Sequence, residues 1–182
     1  MKNFFLLFLF SNILFINSQK NIHIENVSFF KTDPFANLYF CNNNKLIKID
    51  SKYNKLEYNF SEFGKLKKII SKNPMRITLF FEETQKIIFL DKNLNKLNLD
   101  LDLREIQNNI ISDIDTHSNL IYLLAEKNQK ICVYNFKKNK IIECVVEFMR
   151  KKDYLKLFLF KQKVLLINNS EISILNNNLI ED

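Results

Sequence analysis

The chain has 182 residues, a net charge of +7, and 47% hydrophobic and 26% charged residues. That apolar content, with 18 phenylalanines, excludes an intrinsically disordered polymer, and the length excludes more than one ordinary domain. A single glycine excludes glycine-rich phosphate cradles, and three cysteines exclude a disulfide-built miniprotein.

The basic balance itself reads as codon bias. There are 24 Lys against 3 Arg, beside 26 Asn, 23 Ile and 2 Ala, the usage of an A/T-rich gene. The densest basic stretch, Lys65, Lys67, Lys68, Lys72 and Arg76, is answered by Asp100, Asp102, Glu105, Asp113 and Asp115. A nucleic-acid footprint would cluster its cations and favour arginine, so no nucleic-acid partner is expected.

Residues 1–18 read as a secretory signal peptide. Lys2 gives a positive start, Phe4–Phe10 and Ile13–Ile16 an apolar run, and Ser18 a small residue at the expected cut. Ser11-Asn12 interrupts the run, which falls short of the roughly 20 apolar residues a spanning helix needs. Cleavage removes Lys2 and leaves a charge of 7 − 1 = +6. No later stretch approaches a membrane span. The mature chain is therefore expected to be exported, to the periplasm, the cell surface or the medium.

Residues 19–182 read as one domain built on a repeat. Lys86-Ile-Ile-Phe-Leu-Asp91 matches Lys45-Leu-Ile-Lys-Ile-Asp50 at a shift of 41, and Gln129-Lys130-Ile131 matches Gln85-Lys86-Ile87 at 44. A further shift of 41 carries Ile131, Val133 and Asn135 onto Ile172, Ile174 and Asn176. The units fall near 25–61, 65–103, 109–148 and 154–182.

Each unit reads as strands in chain order. The first holds Phe29-Phe30, Ile69-Ile70, Ile110-Ile111 or Leu157–Leu159. The second is Leu38–Cys41, Ile77–Phe81, Leu120–Ala125 or Val164–Ile167. The third ends at Asp50, Asp91, Asn135 or Asn176, residue types that suit turns. The fourth is Leu56–Phe60, the alternating Leu97–Leu103, or Ile141–Phe148. Short helices fit Arg104–Asn109 and Met149–Asp153. Four strands in about 40–45 residues is the period of a β-propeller blade. The expected fold is all-β, propeller-like, with about four blades of four antiparallel strands, closed or open. The fourth unit has no room for a full outer strand, so Asn21–Ile24 is expected to close the ring beside Glu171–Leu175.

Asp33-Pro-Phe-Ala-Asn-Leu-Tyr39 followed by Asn43-Asn44-Lys45-Leu-Ile-Lys-Ile-Asp50 resembles the NHL type of propeller repeat. That type reads roughly D-x-x-G-N-I-Y, N-N-R-I, then D-x-x-G. Ala36 stands at its first glycine, Asn54 at a later one, and Lys45 at the basic position. The chain from about residue 25 is also similar to small secreted bacterial propeller-like proteins of uncharacterised function. The resemblance implies a fold and leaves activity open, because propellers host many functions.

The chemical inventory is thin. His23 and His117 are the only imidazoles. Asp113, Asp115 and His117 occupy alternate positions at the end of an inner strand, where they could aim three metal ligands at a central channel. The favoured reading is a solvated strand end. Cys132 and Cys144 are the only candidate disulfide pair, and two small unlinked residues are favoured over a bridge. Cys41 reads as core. Asn26, Asn59 and Asn168 begin glycosylation sequons, as chance provides in an Asn-rich chain. No catalytic residue and no cofactor is assigned. The expected function is a non-enzymatic platform for an unknown protein or glycan partner. The alternatives are an exported enzyme or metal-binding propeller using Asp113, Asp115 and His117, or a degenerate propeller without activity.

Overall fold

The computed structural model describes residues 21, 23, 25–106, 109–127, 130–145, 153–161 and 163–176. The expected leader, residues 1–18, lies outside them. The described chain is nearly all-β, in four separate antiparallel sheets that follow one another in sequence.

Blade 1 holds β1 (Val27–Thr32), β2 (Leu38–Asn42), β3 (Lys45–Ile49) and β4 (Lys55–Asn59). Blade 2 holds β5 (Lys68–Ile70), β6 (Ile77–Phe81), β7 (Lys86–Leu90) and β8 (Leu101–Asp102). Blade 3 holds β9 (Ile111–His117), β10 (Leu120–Ala125), β11 (Ile131–Asn135) and β12 (Lys140–Val145). Blade 4 holds β13 (Lys156–Phe160), β14 (Lys163–Ile167) and β15 (Ile172–Asn176), three strands among the described residues. The inner strands touch in order, β1 to β5, β5 to β9 and β9 to β13.

Strand alternation gives every blade two apolar faces, and consecutive blades bury them against each other. Tyr39, Cys41 and Leu46 of blade 1 meet Leu79, Phe81, Ile88 and Leu90 of blade 2. Phe80, Ile87 and Phe89 of blade 2 meet Leu123, Ala125, Cys132 and Tyr134 of blade 3. Tyr122, Leu124, Ile131 and Val133 of blade 3 meet Val164 and Leu166 of blade 4. Strands buried on both faces explain the continuous apolar runs of β6 and β7.

Turns repeat as well. Asp33, Asp50 and Asp91 each accept the backbone N–H of an asparagine four residues on, at 3.0, 2.8 and 2.8 Å, and that asparagine's side-chain amide as well. The residue before each asparagine is left-handed: Ala36 (φ 58°), Tyr53 (65°) and Leu94 (62°). Ala36 thus occupies the glycine place expected of it. The later glycine place belongs to Tyr53 rather than Asn54, because Asn54 is the turn's hydrogen-bond donor.

Three expectations change. The alternating run Leu97–Leu103 does not form one outer strand. Leu97 N–H donates to Phe89 O at 2.8 Å, but Leu99 N–H turns back to Leu97 O at 2.9 Å, breaking the ladder. Pairing resumes only at β8, after which α1 (Leu103–Ile106) begins. Among the described residues β15 pairs with β14 alone, so the expected strand pairing of Asn21–Ile24 beside Glu171–Leu175 is not seen there. Ile22 and Ile24 fall outside the described residues, while His23 borders a groove with Phe40, Ile47 and Ile49 of blade 1. Asn42 Nδ2 donates to Glu25 O at 2.9 Å and fastens the segment there. The third change concerns the cysteines. Cys132 and Cys144 form a register pair on β11 and β12, with Cα atoms 4.1 Å apart, and their sulfurs are bonded. The β11–β12 hairpin, which the sequence alone left free to slip by one residue, sets that register. Cys41 is buried and unlinked, and burial pushes its thiol up to about 12.

Candidate functional site: the central cleft

The inner strands of all four blades line a cleft of about 630 Å³, with Phe29 and Lys31 on one side and Tyr154, Lys156 and Phe158 on the other. It continues into a second recess of about 420 Å³ bounded by Lys31, Asp33, Lys72, Asp115 and Phe158. Asp113 and Asp115 project from alternate positions of β9 towards β13. Asp113 Oδ2 accepts Leu157 N–H at 2.7 Å, and Asp115 Oδ2 accepts Leu159 N–H at 2.7 Å.

Two lysines complete these contacts from blade 2. Lys68 Nζ donates to Asp113 Oδ2 at 2.8 Å and to Leu157 O at 2.7 Å. Lys72 Nζ donates to Asp115 Oδ2 at 2.5 Å and to Leu159 O at 2.8 Å. Each aspartate–lysine pair therefore satisfies both backbone groups of one β13 residue. The pairs act as two rungs in place of a neighbouring strand, joining blades 2, 3 and 4.

The two rungs differ in the burial of their lysines. The Lys68 and Asp113 side chains are 12% and 5% exposed, whereas Lys72 is 47% exposed over an Asp115 that is 1% exposed. Burial holds the Lys68 ammonium below its ordinary value, and Asp113 opposes that shift. The Lys68 ammonium also lies 4.5 Å from the Phe158 ring centroid.

The alternative metal set is thus placed in the fold but not brought together, and the favoured solvated strand end holds only for His117, exposed at the end of β9. Asp113 and Asp115 are buried, engaged by lysines and backbone amides that the sequence did not pair with them. Among the described residues, no three His, Cys, Asp or Glu side chains group to hold a metal ion. What the sequence missed is the role of Lys68 and Lys72. A signal was present: they precede Asp113 and Asp115 by 45 and 43 residues, one repeat period.

Other bonds also cross from one blade to the next, not all at one repeat period. Gln85 grips Ile111, its Nε2 donating to Ile111 O at 2.9 Å and its Oε1 accepting Ile111 N–H at 2.8 Å. Lys48 Nζ donates to Lys92 O at 2.6 Å, 44 residues on. Arg76 donates to Ser118 O and stacks 4.2 Å from the Phe136 ring centroid. Lys31 and Lys156 stand on opposite sides of the cleft, and neither takes part in the rungs.

No protein-family model and no curated protein matches the chain. Solved structures do resemble it. The extracellular domain of a hybrid two-component system from B. thetaiotaomicron is 14% identical with a TM-score of 0.60, covering 88% of this chain and 22% of that one. The WD40 domain of Neurospora crassa Pan2 is 9% identical with a TM-score of 0.58, covering 84% and 47%. Virginiamycin B lyase from Staphylococcus aureus is 15% identical with a TM-score of 0.55, covering 84% and 57%. The chain spans less than two thirds of each of these neighbours. At such identities the likeness shows the fold alone, and that fold is β-propeller-like.

Proposed function

We propose that the chain is an exported, non-enzymatic interaction module that holds a protein or glycan partner at its central cleft. The observation that carries this reading is how the cleft's charged groups are used. Asp113, Asp115, Lys68 and Lys72 are spent on bracing the blades, while the 630 Å³ cleft remains open to a ligand. The mixture of aromatic rings and lysine ammoniums on its walls suits a polar or saccharide surface. Export is supported by the sequence of residues 1–18 and by the Cys132–Cys144 bond, since disulfides persist in oxidising compartments. Among the described residues, no helix is long and apolar enough to cross a membrane.

The test is recovery of tagged protein from the extracytoplasmic fraction, with N-terminal sequencing, beside a Lys31→Glu variant. A mature start at Gln19 and a partner or glycan retained by the native protein and lost from the variant support the proposal. Retention of Met1 in a cytoplasmic product would overturn export, and equal retention by the variant would overturn the cleft as the binding surface.

A further inference from the structure

The two ends of the blades differ in charge. Strands alternate in direction, so the turn from first to second strand and the turn from third to fourth lie at the same end of a blade. The inner strands run parallel from blade to blade, since Lys68 and Lys72 reach Asp113 and Asp115, which reach Leu157 and Leu159. These turns therefore share one face of the molecule. Cross-blade bonds join them there: Ser71 Oγ donates to Thr32 O at 2.8 Å, Lys48 Nζ to Lys92 O at 2.6 Å, and Arg76 to Ser118 O. The described turns of this face hold Lys52 in blade 1, Lys72, Arg76 and Lys92 in blade 2, Lys137 and Lys138 in blade 3 and Lys161 in blade 4. Their carboxylates are Asp33, Asp50 and Asp91, seven cations against three, a balance of +4. Those three carboxylates are engaged inside their own turns, and among the described residues Lys72 is the one cation of the seven in an ion pair. The described connectors at the opposite end hold Lys65, Lys67, Arg104, Lys127 and Lys130 against Glu62, Glu82, Glu83, Glu105, Glu126, Asp153 and Glu171, five against seven, a balance of −2. Codon usage fixes how many lysines the chain has, not the end of the blades at which they fall.

The basic face also puts large apolar side chains into water. Phe35 of blade 1 is 66% exposed, Met75 of blade 2 is 57% exposed, and Phe160, where β13 turns, is 60% exposed. Single exposed apolar residues are ordinary, but three on one face among unpaired cations mark a surface with a partner. We infer that this face seats the protein on the surface of an anionic phospholipid bilayer. The Phe and Met tips enter the boundary between headgroups and acyl chains, while the lysines meet lipid phosphates. A soluble polyanion would engage the lysines and leave the apolar tips in water, so the tips select lipid. Each lysine held near such a surface strengthens binding about fivefold, and the acidic opposite end is repelled, which sets the orientation. Attachment of this kind needs no spanning helix. None of the seven cations lines the 630 Å³ cleft, so the face is a second surface and does not depend on what the cleft holds.

Flotation of the full chain with phosphatidylcholine vesicles, with and without about 30 mol% phosphatidylglycerol in about 0.1 M salt, tests the inference. Phosphatidylglycerol should strengthen binding at least tenfold. Lys137→Glu with Lys138→Glu, both at exposed positions, should weaken binding to the anionic vesicles about 25-fold or more, two lysines lost at about fivefold each. Phe35→Ser with Phe160→Ser should weaken it several-fold, with unchanged circular dichroism. Lys65→Glu with Lys127→Glu makes the same charge change at exposed positions of the opposite end and should bind as the native chain does. All of these chains carry the same residues 1–18, whose apolar run therefore contributes equally to each. Binding that does not rise with phosphatidylglycerol overturns the inference. So does an equal loss in the Lys65 and Lys127 variant, which would make the attraction one of net charge alone. Loss in the Lys137 and Lys138 variant with none in the Phe35 and Phe160 variant would assign the face to a soluble polyanion, such as an acidic polysaccharide, and overturn the lipid surface.

Discussion

Asp33, Asp50 and Asp91 show how little sequence is needed to set a turn. One carboxylate accepts the backbone and side-chain amides of the asparagine four residues on, and the residue between is forced left-handed. For an L-residue that conformation costs about 1–2 kcal/mol, and glycine escapes it while losing about 0.5–1 kcal/mol in chain entropy. Ala36 is exposed, so Ala36→Gly removes only strain there. It should raise stability by about 0.5–1 kcal/mol in chemical denaturation, whereas Ala125→Gly in buried β10 should lower it. Asp33 adds a pH dependence. Burial raises its carboxyl, but hydrogen bonds from Asn37, Tyr39 and Phe35 outweigh burial and hold it below the usual carboxylate range. Its stabilisation is therefore complete above the unfolded value of about 3.9 and is lost as pH falls through the lower folded value. Acid titration of the native protein should show that loss, and Asp33→Asn should flatten the curve below pH 4. An unchanged acid limb in the variant would assign the loss to other carboxylates.

At the level of the strand, β13 depends on side chains for its inner-edge bonding. Removing one member of a buried, hydrogen-bonded ion pair costs about 3–5 kcal/mol because the other is stranded. Asp113→Ala should therefore destabilise by about 3 kcal/mol in urea unfolding, and Lys72→Ala should lose a comparable amount, because it strands the Asp115 carboxylate, whose side chain is 1% exposed. A Lys72→Ala variant of native stability would mean that water reaching the half-exposed lysine side already solvates Asp115. The β11–β12 hairpin is tied by Cys132–Cys144 across a separation of 12 residues. Closing a loop of that length contributes about 3 kcal/mol in the chain-entropy picture. The double variant Cys132→Ser, Cys144→Ser should lose about 2–3 kcal/mol, and peptide mapping without reductant should recover the linked pair. The Leu97–Leu103 segment shows the limit of a periodicity rule. Two-residue alternation was present, but Lys96 reaches Asp100 at 2.6 Å and the backbone closes on itself at Leu97–Leu99, so only β8 remains paired.

For the whole molecule, stability follows the number of neighbours a blade has. Blades 2 and 3 are packed on both faces, and the four strands β6, β7, β10 and β11 are almost wholly buried. Blade 4 is packed on one face and alternates between exposed and half-buried along β15. Hydrogen exchange should accordingly be slowest in β6, β7 and β10 and much faster in β14 and β15 for an isolated chain. Uniform protection across the four blades would contradict a nearest-neighbour origin of stability.

The sequence by itself determined the repeat, the strand order within each blade and the positions of most turns. These depend on alternation and on side chains that bond to nearby backbone, both local in the chain. Even the blade faces were implicit, since a shift of 41 or 44 residues maps each apolar set onto the next. The tertiary structure decided what required distant groups to meet. It paired Lys68 with Asp113 and Lys72 with Asp115, turning an apparent ligand set into braces. It fixed the register that joins Cys132 to Cys144, and it placed His23 beside blade 1. A charge or thiol in a sequence specifies no partner. Packing of one blade on another, set by apolar burial, brings that partner within reach and excludes the alternatives.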